Sequence, residues 1–516
     1  MKWFHLIGVC GKATANIAKA FQEKGWFVTG SDSQFFPPAS DLLNEYNINT
    51  IEGYSYEHLT KEFWQNELES RNKTLELGKL STVNSEHPDL VLFISHLTNK
   101  NKEYLFAKKK NLDIRPYAKI LGEYLIKPES IVVTGTAGKT TTTALITFIM
   151  QKLGLEPSYM IGADVVNITD SLQITDTDFS VIEGDEYHNT DPEIEGKAKF
   201  LEYKPRYLVI TNIGWEHQDV FPTQEKYIEE FAKAAALVPE DGVIVAHAGD
   251  KNIDKALENA TCKVVRYSLR EAGNENRDEQ NNHNTLHWSV KQSGDFYKIY
   301  NEKNVELLQF ETSLLGEYNI ENILAAVAVV LNIPARKLPS EVIWNGTKNL
   351  DIIKSAIKEF KGVNKRLEIL HEDEKLVIVD DFGVAPNRAK NSLETLRTNY
   401  PDYKITAVFE PNSGSRPSDN DLFNQMYKNA FKDADRVIIP DLSTANDELV
   451  SSEQLVERLT KLGFDASYVQ SSNLLSTLSA TNNSKNLIVF FSSYRLTEIA
   501  RELVKSATGN ELRESR

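Results

Sequence analysis

Cysteine is almost missing from this chain: only Cys10 and Cys262 occur among its 516 residues. Two thiols in a chain of this size build no disulfide framework and suit a reducing compartment. An excess of basic residues is missing too. Lys and Arg number 58 against 74 Asp and Glu, a formal net charge of −16. A surface that tracks a nucleic-acid backbone needs clustered positive charge, so nucleic acid is excluded as the main partner. No run of about 18 apolar residues occurs, so no membrane-spanning helix is expected. The opening Met1-Lys2-Trp3-Phe4-His5-Leu6-Ile7-Gly8 is too short an apolar stretch for a secretory signal. These absences lead to the expectation of a soluble, cytoplasmic protein. No internal repeat is evident, and the length exceeds what one hydrophobic core supports, so two to four domains are expected.

What is present is an alternation of apolar strands and helices. In a first block, residues 4–8 read as a strand, 15–24 as a helix, 26–30 as a second strand ending at Ser31-Asp32, and 89–95 as a later strand. Such alternation implies a parallel sheet with ligands at the strand C-termini. Lys127-Pro128-Glu129-Ser130 reads as a linker into a second block. That block holds a helix over 140–153, strands over 179–182, 207–212 and 241–246, and a mostly buried helix over 319–331. Residues 271–284 are polar and read as an exposed loop. A third block, from about residue 355, holds strands over 375–379, 405–409, 436–439 and 486–491 and reads as another doubly wound α/β domain. A polar tail begins near Thr508.

The densest signal is Ile131-Val132-Val133-Thr134-Gly135-Thr136-Ala137-Gly138-Lys139-Thr140-Thr141. It reads as a buried strand, a loop of small residues and a helix starting near Thr140. A helix start presents unpaired N–H groups and partial positive charge, so the loop suits a phosphate. Lys139 supplies a full charge for the β/γ-phosphates, and the Thr140 hydroxyl suits a magnesium ion. Gly135, Thr136, Ala137, Gly138, Lys139, Thr140 and Thr141 are therefore the candidate nucleotide-binding residues. The general pattern G-x-x-x-x-G-K-[ST] wants glycine at position 133, where Val133 stands. The alternative is a strand–helix turn without a ligand.

Other constellations are weaker one by one. Glu183 and Asp185 end an apolar strand in Glu183-Gly184-Asp185-Glu186, where a magnesium ligand belongs beside a phosphate loop. A solvated acidic turn is the alternative. His217, in Asn212-Ile213-Gly214-Trp215-Glu216-His217, reads as either a structural histidine or a metal ligand. Gly8-Val9-Cys10-Gly11-Lys12-Ala13-Thr14 is a G-x-G-x-x-G with Cys10 and Ala13 in two glycine places. Small residues there still let a pyrophosphate approach the backbone, and a plain turn is the alternative. Ser31 and Asp32, at the next strand end, suit a ribose or base.

Together these pieces resemble the Mur ligase family of peptidoglycan synthesis over essentially the whole chain. Besides the P-loop, the acidic turn and residues 212–217, the resemblance is carried by Gly316-Glu317-Tyr318-Asn319-Ile320-Glu321-Asn322 with Ala325-Ala326, Gly362-Val363-Asn364-Lys365-Arg366-Leu367-Glu368, and Asp380-Asp381-Phe382-Gly383 before Pro386. Within the family, His5-Leu6-Ile7-Gly8-Val9-Cys10-Gly11, Val28-Thr29-Gly30-Ser31-Asp32, Pro37-Pro38 and Gly53-Tyr54 are most similar to the murein peptide ligase branch. So are Asp185-Glu186-Tyr187, Lys199-Phe200 and Tyr203-Lys204-Pro205. The branch that adds L-alanine is next.

The resemblance implies an α/β chain of three domains. These are a Rossmann-like UDP-sugar domain over 1–127, a P-loop ATPase domain over 128–354, and a Rossmann-like C-terminal domain over 355–516 that takes the amine. It implies an ADP-forming ligase that activates the lactyl carboxylate of UDP-N-acetylmuramate as an acyl phosphate. The amine would be that of L-Ala-γ-D-Glu-meso-diaminopimelate, in cell-wall recycling, or alternatively of L-alanine. Lys139, Glu183, His217 and Arg366 would be the catalytic set, using ATP and Mg2+. Thr140, Glu183 and His217 would hold the metal, Asn319 and Asn322 the adenine, Arg366 the phosphates and Asp381 the ribose. Gly8, Gly11, Ser31 and Asp32 would line the UDP-sugar site. A monomer or weak homo-oligomer is expected. Phe231 fills the place of a lysine that other members carbamylate, with Lys233 near. Two stretches depart from the family. Asp-Asp-Tyr-x-His-His-Pro becomes Asp380-Asp381-Phe382-Gly383-Val384-Ala385-Pro386, and Arg-Ser-Asn-Thr becomes Asn412-Ser413-Gly414-Ser415 before Arg416. Both lie in the domain that selects the amine. A folylpolyglutamate-type ligase and a nucleotide-binding regulator without ligase activity stand as further readings.

Overall fold

Three largely parallel sheets carry the chain in a computed structural model that describes residues 1–94, 100–188, 197–216, 220–269, 285–338, 347–442, 449–479, 485–493 and 495–508. The α/β class read from the sequence is the class observed. The first sheet contains β1 (Trp3–Ile7), β2 (Phe27–Asp32), β3 (Asn49–Glu52), β4 (Leu90–Phe93) and β5 (Ile114–Pro116), all parallel in the order β3-β2-β1-β4-β5. Strand order reverses at β1, so the loop leaving β1 opens into the crevice where such sheets bind ligands.

The second sheet contains β6 (Glu129–Thr134), β7 (Ser158–Met160), β8 (Leu172–Gln173), β9 (Phe179–Glu183), β10 (Tyr207–Ile210), β11 (Val243–His247), β12 (Lys263–Ser268), β13 (Thr285–Ser293), β14 (Phe296–Tyr300) and β15 (Glu306–Phe310). Their order is β15-β14-β13-β12-β11-β10-β6-β9-β7-β8, with a parallel centre and antiparallel pairs at both edges. β6 lies between β10 and β9 and is buried along its whole length, as a strand covered on both faces must be. Glu129 and Ser130, read as linker from the sequence, belong to this strand. The polar stretch 271–284 lies outside the described residues.

The third sheet contains β16 (Glu368–Glu372), β17 (Leu376–Asp381), β18 (Lys404–Phe409), β19 (Arg436–Ile439), β20 (Ala466–Tyr468) and β21 (Asn486–Phe491). The order is β16-β17-β21-β18-β19-β20, parallel except for β16. The chain forms two compact units. One takes in Met1–Ser313 and Tyr318–Lys361, and so both of the first sheets; the other takes in Leu314–Glu317 and the chain from Gly362 onward. The helix Thr347–Glu359 runs through residue 355 and packs on the helix Lys139–Lys152, inside the first unit. Among the described residues no helix is long and apolar enough to cross a membrane.

Within the first unit, the two sheets meet through the elements that flank them. Two lysines of the helix Lys12–Glu23 and its C-cap lysine reach three aspartates at the second sheet's edge: Lys12 to Asp164 at 2.9 Å, Lys19 to Asp170 at 2.6 Å and Lys24 to Asp176 at 2.5 Å. The helix Tyr117–Tyr124 lies directly on the 3-10 turn Lys199–Tyr203, and a Cβ on Gly122 would sit 2.6 Å from the Glu202 carbonyl oxygen. Gly122→Val is therefore expected to destabilise the protein by about 1–3 kcal/mol, the usual cost of overpacking. Thermal unfolding checks this, and an unchanged Tm would contradict the close packing.

Candidate active site

β6 ends at Thr134, and the chain turns through Gly135–Gly138 into the helix Lys139–Lys152. Gly135 has φ +132° and Gly138 φ +83°, in the region open to glycine. Space enforces the same choice. A Cβ on Gly135 would run into Thr211 Oγ1 and lie 2.9 Å from the Asn212 carbonyl oxygen; one on Gly138 would lie 2.6 Å from Asn322 Oδ1. The loop is held from the end of β10. Thr136 N donates to the Asn212 carbonyl at 3.1 Å, Ala137 N to Asn212 Oδ1 at 2.8 Å, and Thr211 Oγ1 to the Ala137 carbonyl at 2.5 Å. Gly214 N donates to Thr136 Oγ1 at 2.8 Å, with Tyr227 Oη 3.3 Å away. The first N–H groups of the following helix have no intrahelical partner, which makes this helix start an anion site.

The side chains at the helix start meet the acidic turn after β9. Thr140 Oγ1 donates to Glu183 Oε1 at 3.0 Å, and Gly162 N to Glu183 Oε2 at 2.8 Å. A hydroxyl and a carboxylate oxygen held together are the hard oxygen donors that magnesium takes. Lys139 folds back, donating to the Gly135 carbonyl and sitting 2.9 Å from Glu186 Oε2. The Glu186 side chain is only 3% exposed, so this is an ion pair out of water. Asp185 turns elsewhere, accepting from Lys199 Nζ at 2.7 Å and from Tyr187 N at 3.0 Å. Of the two strand-end acids expected to serve a metal, Glu183 meets Thr140 and Asp185 is taken by Lys199. Tyr203 lies buried close by, and Tyr117 half-buried. Burial pushes both phenols well up, Tyr117 further through the charges of Asp185 and Glu183, so both stay neutral.

Asn319 and Asn322 sit on the buried helix Glu317–Leu331. Thr142 Oγ1 donates to Asn322 Oδ1 at 3.2 Å, and Asn322 Nδ2 to Asn319 Oδ1 at 3.2 Å. The pair thus ties this helix to the P-loop helix. Phe231 is fully buried, 5.4 Å from the Phe200 ring and 5.2 Å from that of Tyr227, while Lys233 bonds Glu230 on its own helix. His217 lies outside the described residues.

The loop after β1 is built differently. Gly8, with φ +86°, and Val9 both donate their N–H to the Ser31 carbonyl, at 2.8 and 3.1 Å. Asp32 faces the loop: its Oδ2 accepts from Cys10 N at 2.8 Å and its Oδ1 from Ser33 N at 2.7 Å and Tyr54 Oη at 3.2 Å. Burial and the Asp32 charge push the Tyr54 phenol up to about 12, so it remains a donor. Gly11 N is 3.1 Å from Thr14 Oγ1, which closes the turn into the helix Lys12–Glu23. Ser31 does not face the loop. Its hydroxyl is fully buried and donates to Glu103 Oε2 at 2.5 Å.

Known proteins carry the same pieces. The Mur ligase middle domain matches residues 133–330, and the Mur ligase glutamate ligase domain matches residues 365–494. This chain belongs to the Mur ligase family. It is therefore an ATP-dependent amide ligase that forms C–N bonds. The UDP-N-acetylmuramate–L-alanine ligase of Clostridium acetobutylicum is 28% identical over 477 residues, 92% of this chain and 90% of that protein. The crystal structure of a UDP-N-acetylmuramate–alanine ligase from Thermotoga maritima superposes with a TM-score of 0.69 at 19% identity, over 99% of this chain and 100% of that one. A murein peptide ligase from Psychrobacter arcticus superposes with a TM-score of 0.63 at 20% identity, over 99% of each chain.

In the second unit of this Mur ligase, the Arg366 guanidinium lies 5.0 Å over the Phe382 ring. Asp381, at the C-terminal end of β17, is buried and accepts from Ser392 Oγ. Burial pushes its carboxyl up, against the pull of Ser392, Arg366 and Arg388. Where the family pattern has two histidines, Val384 is buried and Ala385 caps the helix Pro386–Asn399. No imidazole is available there.

Sequence reading gave no role to Glu186, Asn212 or Gly162, which hold Lys139, the P-loop backbone and Glu183. Glu186 stands in the quoted acidic turn, so its charge beside a P-loop lysine was the available signal. Lys139→Ala is expected to lower ATP-dependent phosphate release by about 10²–10³. It also leaves a buried carboxylate without its cation, at a cost of about 1–3 kcal/mol. Adding Glu186→Gln should restore stability in denaturant unfolding but not release. Recovery of both would show that Lys139 serves only the ion pair.

Proposed function

We propose that this Mur ligase joins the lactyl carboxylate of UDP-N-acetylmuramate to the amine of L-Ala-γ-D-Glu-meso-diaminopimelate, in the cytoplasm. The observation that carries the reading is one compact unit with two phosphate-suited loops: Gly8–Gly11 faced by Asp32, and Gly135–Gly138 with Lys139 and the Thr140–Glu183 pair. A nucleotide sugar and ATP would each have a loop at the C-terminal edge of its own parallel sheet. Residues 1–127, 128–354 and 355–516 are then read as the sugar-nucleotide, ATPase and amine domains.

A carboxylate is a poor electrophile at neutral pH, so it must be phosphorylated before an amine can displace phosphate from it. Lys139 would leave Glu186 for the ATP phosphates, which offsets the repulsion between two approaching anions. Thr140, Glu183 and His217 would hold Mg2+, which when bound supplies further charge neutralisation on the phosphates. Asn319 and Asn322 would meet the adenine, Arg366 the phosphates and Asp381 the ribose. Gly8, Gly11 and Asp32 would receive the UDP-sugar.

The acceptor has a second reading, because the Clostridium relative is named for L-alanine. Phosphate release with ATP and UDP-N-acetylmuramate, comparing the tripeptide with L-alanine, separates the two. The tripeptide is expected to stimulate release more strongly. Stimulation by L-alanine alone would transfer the assignment to the second reading, and stimulation by neither would overturn the sugar-nucleotide assignment.

A further inference from the structure

Glu103 is a carboxylate that the ligase chemistry leaves unused. It is the second residue of the helix Lys102–Lys109, and its side chain is 0% exposed. Burying a carboxylate is costly unless every oxygen is bonded. Here both are used. Oε1 faces His58 Nδ1 at 2.6 Å and accepts from Ser55 N at 3.4 Å; Oε2 accepts from Ser31 Oγ at 2.5 Å and lies 3.6 Å from His5 Nε2. The indole of Trp3 donates to Thr29 Oγ1 at 2.8 Å, and Thr29 Oγ1 lies 2.8 Å from His5 Nδ1. The Thr29 hydroxyl thus links the Trp3 indole to the His5 ring. Burial alone would raise the Glu103 carboxyl, but the hydrogen bonds of His5 and His58 overcome it and hold the group down at about 2. It is an anion at neutral pH.

What this anion holds is the loop after β1. Ser31, bonded to Glu103 through its hydroxyl, gives its carbonyl to both Gly8 N and Val9 N. Ser55, bonded through its N–H, follows Tyr54, whose hydroxyl fixes Asp32; Asp32 in turn fixes Cys10 N. Both supports of the loop therefore run back to one carboxylate that is itself closed to ligand. A buried ion-pair cluster is weak support for stability, since apolar residues of the same volume often serve as well. Its use is to specify one geometry.

We propose that Glu103 is the positioning residue of the UDP-sugar site, acting from behind the loop through Ser31 and the Tyr54–Ser55 turn. This rests on the reading of that loop as the UDP-N-acetylmuramate site. The test titrates the full-length protein by calorimetry with UDP-N-acetylmuramate and, separately, with a non-hydrolysable ATP analogue. Glu103→Gln, which keeps the shape and removes the charge, is expected to weaken sugar-nucleotide binding by about tenfold, with ATP-analogue affinity unchanged. Ser31→Ala, a smaller perturbation that decides the matter if Glu103→Gln does not fold, should produce the same selective loss. The double variant should be no worse than the weaker single one, because both cut one chain of contacts. Wild-type sugar-nucleotide affinity in both single variants, or equal loss of both ligands, would overturn the positioning role while leaving the substrate assignment standing. Failure of the wild-type protein to bind UDP-N-acetylmuramate would instead overturn the substrate assignment, and this role with it.

Discussion

The backbone of residues 135–138 comes closer to the end of β10 and to the helix Glu317–Leu331 than any Cβ would allow, and the rest of the site depends on that approach. Gly135 lets the loop settle against Thr211 and Asn212; Gly138 lets the P-loop helix start against Asn322. Because the loop is pinned by four contacts from residues 211–214, Lys139 and Thr140 leave the helix start in set directions. Thr140 then meets Glu183 and Lys139 meets Glu186. Polar groups that are fixed before a ligand arrives cost no reorganisation when charge develops, which is how such loops stabilise transferring phosphoryl groups.

Charge imposes the second constraint. A chain of net charge −16 that takes polyanions must hold them by local means. Each cation at the P-loop already has a carboxylate: Lys139 has Glu186, and Lys199 has Asp185. A phosphate binding Lys139 would have to displace Glu186. These two lysines beside the P-loop are thus paired with carboxylates and are not a standing positive patch. The N-terminal loop follows the same logic with the opposite sign. Asp32 faces it, and the backbone N–H of Cys10 is held by that carboxylate.

Local patterns were legible and distant closures were not. The strand, small-residue loop and helix over 131–141 are contiguous, so this candidate phosphate loop is readable without help from the rest of the chain. Glu183 was legible as the last residue of a strand. Glu186 and Asp185 were not separable, because strand alternation stops at Glu183 and the chain beyond it is set by the Phe200 N–H bonding the Asp185 carbonyl. Ser31 and Asp32 are adjacent in β2, and adjacent strand residues face opposite sides, so only one could line the loop. That signal was present. That Ser31 would reach Glu103, 72 residues away, was not. Asn319 and Asn322, three apart, had to share a helix face; that their partner would be Thr142 needed the fold. The block read from about residue 355 starts inside the helix Thr347–Glu359, which packs on the P-loop helix, and the second unit resumes at Gly362.

The departures from the family pattern concentrate in one unit, and this bears on what has been kept. Lys139, Thr140, Glu183, Asn319 and Asn322 stand where the resemblance requires them, as do Arg366 and Asp381. The two histidines after Asp381 do not. The stretch around their places is closely packed: a Cβ on Gly383 would lie 2.6 Å from the Phe491 ring, Val384 is buried with its carbonyl accepting from Asn412 N at 3.2 Å, and Pro386 starts the next helix. At Val384 the departure lies in the interior, while Ala385 is half-buried. The same Asn412 stands in the second altered stretch, so the two departures touch and form a single change. In the proposed reaction, activation of the carboxylate would need the nucleotide residues, which persist, and choice of the amine would fall to the stretch that changed. On the proposed reading, such a chain would retain the energy-supplying half of the reaction and differ where its acceptor is chosen.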